Sequence, residues 1–533
     1  MEMTAENKKS ASDMEKEVKY PIGQQDFKTL RKLGYIYVDK TRFVYKVTRG
    51  SQYLFLARPR RFGKSLFLST LRYFFEGERD LFKGLYINST DWKWEHYPVL
   101  RLDLNVEKYS EPGKLDSILN GYFSKWEEEY DVTTKESELS LRFRNIIEAA
   151  HRKTGQQVVI LVDEYDKPLV GNLNKIENLE HYREKLASVY ANFKSSAEHI
   201  RLVFLTGVSR FSKLSVFSDL NNLDDITFDN AYADICGITE QEFLETFPVG
   251  INKLAREKGI SYSKAVSMLK SNYDGYRFAA KGSDIYNPWS LLSCLDKSEI
   301  RNFWNQTGQP SIIAETLKRI DVDLKEFLHQ TCSADELRGQ DLLDPRPIAL
   351  LYQTGYLTIK KYNERRDMYT LGLPNKEVKQ GFFDALLPYY VSTKGNTPQS
   401  IVSRIVNYAF DGAPQKLMLE LQVYFAGVSY KMRLDNENNF HNAFFLLTNL
   451  IGLDTHTEVS TSDGSIDILI STDDFIYIIE LKYDRPAEEA LRQINNKHYD
   501  RPYLTDGRKI FKIGVSFSSK TRCIENWIIE AEG

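Results

Sequence analysis

Two α/β domains joined by a helical middle are what this sequence predicts, and three observations predict them. An apolar run at 53–57, YLFLA, breaks into the basic loop RPRRFGKS. A second, VVILV at 158–162, ends in Asp163-Glu164. Far downstream, alternating segments carry Asp467 and then Glu480 and Lys482, two residues apart. With 533 residues the chain exceeds one ordinary core, and two to four domains are expected.

The formal net charge of -3 creates no global positive field, so nucleic acid must be met by a local patch. The four cysteines, Cys236, Cys294, Cys332 and Cys523, form no CxxC pair, which argues against a zinc site or a disulfide scaffold and fits a reducing compartment. No run approaches the roughly 18 apolar residues of a membrane span. The opening residues, polar and charged throughout, lack a secretory apolar region. Residues 1–19 read as a disordered lead, and the protein as cytoplasmic with no membrane partner.

Residues 20–238 read as the first α/β domain. A Pro-Gly turn and a short amphipathic helix around Phe27 and Leu30 lead to an aromatic alternation ending at Asp39. The strand at 53–57, the loop, and the helical run LFLSTLRYFF at 66–75 then give the strand–loop–helix context of a P-loop. In that motif backbone N–H groups wrap the β-phosphate, the lysine reaches the β- and γ-phosphates, and the next hydroxyl holds Mg²⁺. Lys64 and Ser65 take those roles. The full pattern asks for glycine where Arg58 stands, and a plain basic turn is the alternative reading. PVLRLDLN at 98–105 alternates like a strand, and SELSLRFRNIIEAAHRKTG at 137–155 has helical spacing closed by Gly155.

A buried parallel strand ending in Asp-Glu is what such an ATPase needs beside its Gly-Lys-Ser loop. Asp163 is assigned to the metal and Glu164 to the general base. After a helical stretch at about 175–197, RLVFLTGVSR at 201–210 forms a third strand. Thr206 or Ser209 at its end could act as sensor, and Arg210 could stabilise γ-phosphate charge in cis or toward a neighbouring copy, which would require a homo-oligomer. An ordinary surface role for Arg210 is the alternative. The expected nucleotide-binding set is Arg61, Phe62, Gly63, Lys64, Ser65, Leu66, Asp163, Thr206 and Arg210, with ATP and Mg²⁺ as cofactors.

Thr239-Glu240-Gln241-Glu242 has capping-box spacing and opens a lid at 239–385. Its helical spacing is broken at NYDGYRF, NPW and DPRP. Residues 350–375 read as helix end, strand, polar turn, strand, in the manner of a winged helix, and Arg277 is a candidate for phosphate contact, with a Tyr-rich packing turn as the alternative. Residues 386–435 read as a helical connector.

Residues 436–533 follow the order helix, hairpin strands, helix, strand, the core of restriction-endonuclease-like folds, with KIFKIGVSFS at 509–518 as the last strand. Strand side chains alternate, so Glu480 and Lys482 project from one face while Ile479 and Leu481 point into the core. Asp467 lies on the preceding strand. Asp467 and Glu480 would bind Mg²⁺, leaving Lys482 to position or deprotonate water for phosphodiester attack. Glu437 could add a ligand and Gln493 could steady the site. ExK alone is a weak signal; Asp467 and the element order strengthen it. Arg485, Arg492, Lys497, Arg501, Arg508 and Lys509 could track a nucleic-acid backbone, or form a solvated face.

On YPIGQQDF, GYIYVDKT, RPRRFGKS, DEYDKP, LTGVSRFSK, YDGYRF with NPWS, DGSIDILI, IIELK and IGVSFS, the chain resembles a bacterial family joining an AAA-like ATPase domain to a PD-(D/E)XK nuclease-superfamily domain. RPRRFGKS is that family's usual P-loop, which accommodates Arg58. Ile466 stands where the nuclease pattern has proline. The resemblance implies an AAA/STAND-like P-loop NTPase with a C-terminal restriction-endonuclease-like α/β domain. Its catalytic residues would be Glu164, Asp467, Glu480 and Lys482. The expected function is ATP-gated, metal-dependent cleavage of nucleic acid, DNA foremost. The alternative is an ATP-driven switch whose nuclease-like domain only binds nucleic acid or a partner.

Overall fold

Strand β1 (Tyr53–Ala57) is buried along its whole length, and helix α3 (Lys64–Phe75) follows after a loop of six residues. In the computed structural model the described residues are 18–105, 109, 111, 113–134, 136–170, 172, 175–209, 222–304, 324–338, 346–391, 397–427, 445–451, 454–461, 464–518, 520–521 and 523–532. Arg210, Glu437, nearly all of the expected lead and half of the DPRP turn lie outside them. The chain divides into two units, Met1–Trp304 with Gln330–Glu377, and Asn305–His329 with Val378–Gly533.

In the first unit, α1 (Phe27–Lys32) and α2 (Thr41–Thr48) precede β1. β2 (Val99–Asp103), α4 (Lys114–Glu129), α5 (Leu139–Thr154), β3 (Val158–Asp163), α6 (Ile176–Tyr190), β4 (Ile200–Gly207) and the two-residue β5 (Asp224–Asp225) complete a parallel sheet of order β2-β3-β4-β1-β5. β3 and β4 are apolar nearly throughout because both sheet faces are covered. On one face Phe55, Ile160 and Val203 pack with Phe123, Phe143 and Tyr182 of the helices. On the other, Phe204 meets Phe67 of α3 at 5.7 Å. Gly155 ends α5 in the left-handed region, as its position in the sequence implies.

The short strand β6 (Ile238–Thr239) leads into α7 (Glu240–Thr246), and the capping box there is formed. Glu242 N–H donates to Thr239 Oγ1 at 3.2 Å and Thr239 N–H to Glu242 Oε2 at 2.8 Å. α8 (Pro248–Lys258), α9 (Tyr262–Tyr273), β7 (Ile285–Tyr286) and α10 (Pro288–Lys297) follow. NPW starts α10 rather than merely interrupting helix, because Asn287 caps it and Pro288 occupies its first turn. β8 (Thr331–Ser333), α11 (Pro347–Thr354), β9 (Thr358–Asn363) and β10 (Met368–Gly372) form an antiparallel sheet of order β8-β10-β9 beside one helix.

Helix α12 (Lys376–Tyr390) starts at the end of the first unit and continues into the second. There α13 (Pro398–Phe410), α14 (Pro414–Ala426), β11 (Asp454–Thr461), β12 (Gly464–Ser471), β13 (Phe475–Tyr483), α15 (Ala487–Asn496), β14 (Lys509–Ser518) and β15 (Cys523–Glu532) build a mixed sheet of order β11-β12-β13-β14-β15. Only β13 and β14 run parallel. β15 is a strand beyond the one expected to be last. It sits at the sheet edge, where Ile524 is its one buried apolar residue and Trp527, Ile528 and Ile529 stay partly exposed, so no regular apolar alternation marks it. Both sheet faces are covered: α15 closes over Ile466, Ile476, Ile478 and Ile510, while Tyr477 Oη on the other face donates to Ala409 O at 2.7 Å. Residues 398–426 therefore pack on this sheet.

Candidate active sites

The first site gathers where β1, β3 and β4 end. The loop leaves β1 through Arg58, whose buried guanidinium donates to the carbonyls of Ala57, Thr227 and Tyr232 at 2.8–3.1 Å and lies 4.6 Å from the Phe278 ring. Gly63, at φ 98°, turns the chain into α3, a conformation costly for any other residue. Lys64 is buried, and its Nζ donates to the carbonyls of Arg58 and Pro59 at 3.0 and 3.3 Å. Glu164 Oε1 lies 3.3 Å from the same ammonium.

Asp163, at the end of β3, accepts hydrogen bonds from the hydroxyls of Ser65 and, at 2.9 Å, Thr206. Burial, with Glu164 beside it, pushes its pKa up, and the two hydroxyls and Lys64 oppose the rise. Glu164 itself takes φ 53° in the turn that follows, an uncommon conformation for a non-glycine residue. Five expected residues, Lys64, Ser65, Asp163, Glu164 and Thr206, thus meet. Phe62 instead packs edge-on against Tyr276 and Phe278, and Arg61 lies over Trp289 at 3.7 Å. Leu66 and Gly63 line an apolar pocket, partly open to solvent, whose walls include Tyr37, Val38, Gly237 and Phe247. Arg277 pairs with Asp284 at 2.9 Å.

Sequence reasoning missed two residues here. Arg101 reaches from β2, its guanidinium 3.8 Å from both Asp103 and Asp163, and a charge inside the alternation VLRLD was the available signal. Asp166, buried behind Glu164, accepts the N–H groups of Val208 and Ser209. Its signal was a third acid within four residues of an apolar strand.

The second site lies on β12 and β13. Asp467 Oδ2 accepts Leu481 N–H at 2.8 Å, which sets it beside Glu480. Lys482 Nζ donates to Glu480 Oε1 at 3.2 Å, and Gln493 Nε2, from α15, donates to the same oxygen. Gln493 is itself steadied by Tyr499 Oη at 3.2 Å. α15 comes this close because Gly514 has no side chain: a Cβ there would stand 2.4 Å from Ala487 O and 2.5 Å from Leu491 N. Glu480 therefore belongs to the face covered by α15, and the core is not confined to the Ile479 side. Burial, then Asp467, pushes the Glu480 pKa up, with Lys482 opposing.

Among the described residues, Glu480 Oε2 is buried with no hydrogen-bond partner. An orphaned carboxylate oxygen beside a second acid is a hard-oxygen pair that suits a divalent cation. Among the described residues no group of three or more His, Cys, Asp or Glu is placed to hold a metal. In the basic patch, Arg508 pairs with Asp506 and Arg485 with Glu489, leaving less free positive charge than a count suggests. No helix among the described residues is long and apolar enough to cross a membrane.

Residues 21–217 match the family described as predicted AAA-ATPase, and residues 435–527 match the PD-(D/E)XK nuclease superfamily. A protein of Azotobacter chroococcum mcd 1, described as an uncharacterized protein in the vnfD 5' region, is 33% identical over 533 residues, spanning 97% of this chain and 99% of that one. Two constellations and full-length likeness agree: the chain belongs to the family that carries an AAA-ATPase-like domain and, toward its C-terminus, a PD-(D/E)XK nuclease-superfamily domain.

Proposed function

We propose that the protein binds and hydrolyses ATP in its first unit and cleaves nucleic acid, DNA foremost, in its second, with the ATP state gating cleavage. The observation that carries this reading is the convergence of Lys64, Ser65, Asp163, Glu164 and Thr206 at three strand ends, matched by the Asp467, Glu480 and Lys482 cluster downstream. The loop 58–65 acts as a P-loop. Lys64 exchanges loop carbonyls for β- and γ-phosphate oxygens, and the first backbone N–H groups of α3 face the phosphates. The apolar pocket beside Gly63 and Leu66 receives the base. Glu164 takes a proton from the attacking water, and Thr206 orients that water.

Ser65 and Asp163 would hold Mg²⁺ in the first site, and Asp467 and Glu480 in the second. Bound there, it supplies charge neutralisation and Lewis acidity. Lys482 places or deprotonates the water that attacks the phosphodiester, and Gln493 keeps Glu480 aligned. The β8-β10-β9 sheet with α11 serves as a winged-helix-like lid. Its contact with the loop supports this: Gly355, just after α11, sits so close to Pro59 that a Cβ there would lie 2.9 Å from the proline ring.

The test is Mg²⁺-dependent cleavage of single- and double-stranded DNA and RNA, with and without ATP, by wild type, Lys64→Ala and Asp467→Ala. Asp467→Ala should lose cleavage and keep ATPase activity, whereas Lys64→Ala should lose ATPase activity and the ATP response of cleavage. Cleavage persisting in Asp467→Ala refutes the nuclease assignment. DNA binding without cleavage by wild type, with ATPase lost in Lys64→Ala, favours a switch.

A further inference from the structure

The turn after β3 holds one carboxylate more than the proposed hydrolysis uses. Asp166 is 1% exposed and has no ion pair among the described residues. It accepts Val208 N–H at 3.1 Å and Ser209 N–H at 2.7 Å through Oδ2, and also lies 3.3 Å from Val208 N through Oδ1. Around this clamp the hydrogen bonds close a ring. Tyr165 N–H donates to Thr206 O at 3.0 Å, Tyr165 Oη to Ser209 O at 2.9 Å, and Arg58 N–H to Gly207 O at 3.2 Å. Gly207 lies so tight inside it that a Cβ would stand 2.7 Å from both Asp166 Oδ1 and the Tyr165 ring. A carboxylate buried this deeply with no direct ion pair among the described residues is costly even with Lys64 nearby, and packing alone would be served more cheaply by an apolar side chain.

We propose that Asp166 is a positioning residue for ATP hydrolysis: it locks the end of β4 against the Asp163-Glu164 turn, so that Thr206 and Ser209 keep their place beside the γ-phosphate. The inference rests on the ATPase reading above. Asp166 does not touch the nucleotide; it acts through the backbone of residues 206–209. Oδ2 takes both N–H groups and Oδ1 lies 3.3 Å from Val208 N, so in Asp166→Asn either the amide nitrogen faces the Val208 N–H or, with the amide turned over, it faces both donors. Displacements of about 1 Å at a reacting centre cost about 100-fold in rate.

Asp166→Asn should therefore lower kcat for ATP hydrolysis about 100-fold while the Kd for ATP stays within about twofold of wild type. Gly207→Ala, which wedges the same strand end from within the ring, should show the same split with Asp166 intact. It decides the matter if Asp166→Asn does not fold. Asp166→Asn turning over within about twofold of wild type overturns the inference, as does a parallel loss of kcat, ATP affinity and melting temperature in both variants. Lys64→Ala is the control: if wild type and Lys64→Ala bind and hydrolyse ATP equally, the ATPase reading fails, whereas a normal Asp166→Asn beside an inactive Lys64→Ala sinks only this inference.

Discussion

Replacing Arg58 by methionine tests whether the residue at the expected glycine position anchors the loop. Methionine keeps an apolar stem on Phe278 and deletes the guanidinium that donates to Ala57, Thr227 and Tyr232. Each buried acceptor left without a donor costs about 1–3 kcal/mol. Removing a cation whose pKa burial already pushes down offsets part of that loss. A net destabilisation of roughly 3 kcal/mol follows. At about 2–4 °C per kcal/mol for a domain of about 200 residues, melting followed by circular dichroism should drop by about 6–12 °C. ATP binding, measured by calorimetry, should weaken about tenfold, because the Arg58 and Pro59 carbonyls that pre-place Lys64 are no longer held. Arg58→Lys should recover less than half of the loss, since one ammonium cannot reproduce a planar fork whose two terminal nitrogens serve separate carbonyls. A methionine variant that melts within about 1 °C of wild type and binds ATP as tightly would refute the anchor.

Two further outcomes follow from buried groups. Glu377 accepts the N–H groups of Phe303 and Trp304, and burial pushes it from 4.5 to about 7 while the Ser290 hydroxyl and these two N–H groups oppose the rise. The folded state therefore binds this proton more tightly, so the stability it contributes is complete below pH 4.5 and lost as pH rises to about 7. Glu377→Gln should gain up to about 3 kcal/mol over wild type at pH 8 and little at pH 4.5 in urea unfolding, and an equal shift at both pH values would contradict it. Gly514→Ala should destabilise the protein by about 1–3 kcal/mol, because the Cβ meets helix backbone, and should cut cleavage by moving Gln493 off Glu480. A variant with normal melting and cleavage would show that α15 can retreat at no cost.

Much of the fold was legible because its signals are local. β1, β3 and β4 announce themselves as short apolar runs since both faces of their sheet are covered, and Gly155 and the Thr239-Glu242 box mark helix ends by their own backbone chemistry. β15 was not legible, being an edge strand whose side chains are mostly half-exposed. Nor was the work of Arg58, because its acceptors at Thr227 and Tyr232 lie about 170 residues away.

The sequence by itself determined which residues are candidates for the chemistry: a lysine and hydroxyl after a glycine, an acid pair ending a strand, and an acid and lysine two apart on another. These follow from residue type and short-range period, which local sterics enforce. Tertiary structure alone decided which of them meet. β4 lies between β1 and β3, and that placement brings Thr206 onto Asp163 and lets Asp166 grip the residues that follow. Strand order and the close approach of α15 over Gly514 depend on pairing between distant segments, and no local period records that pairing.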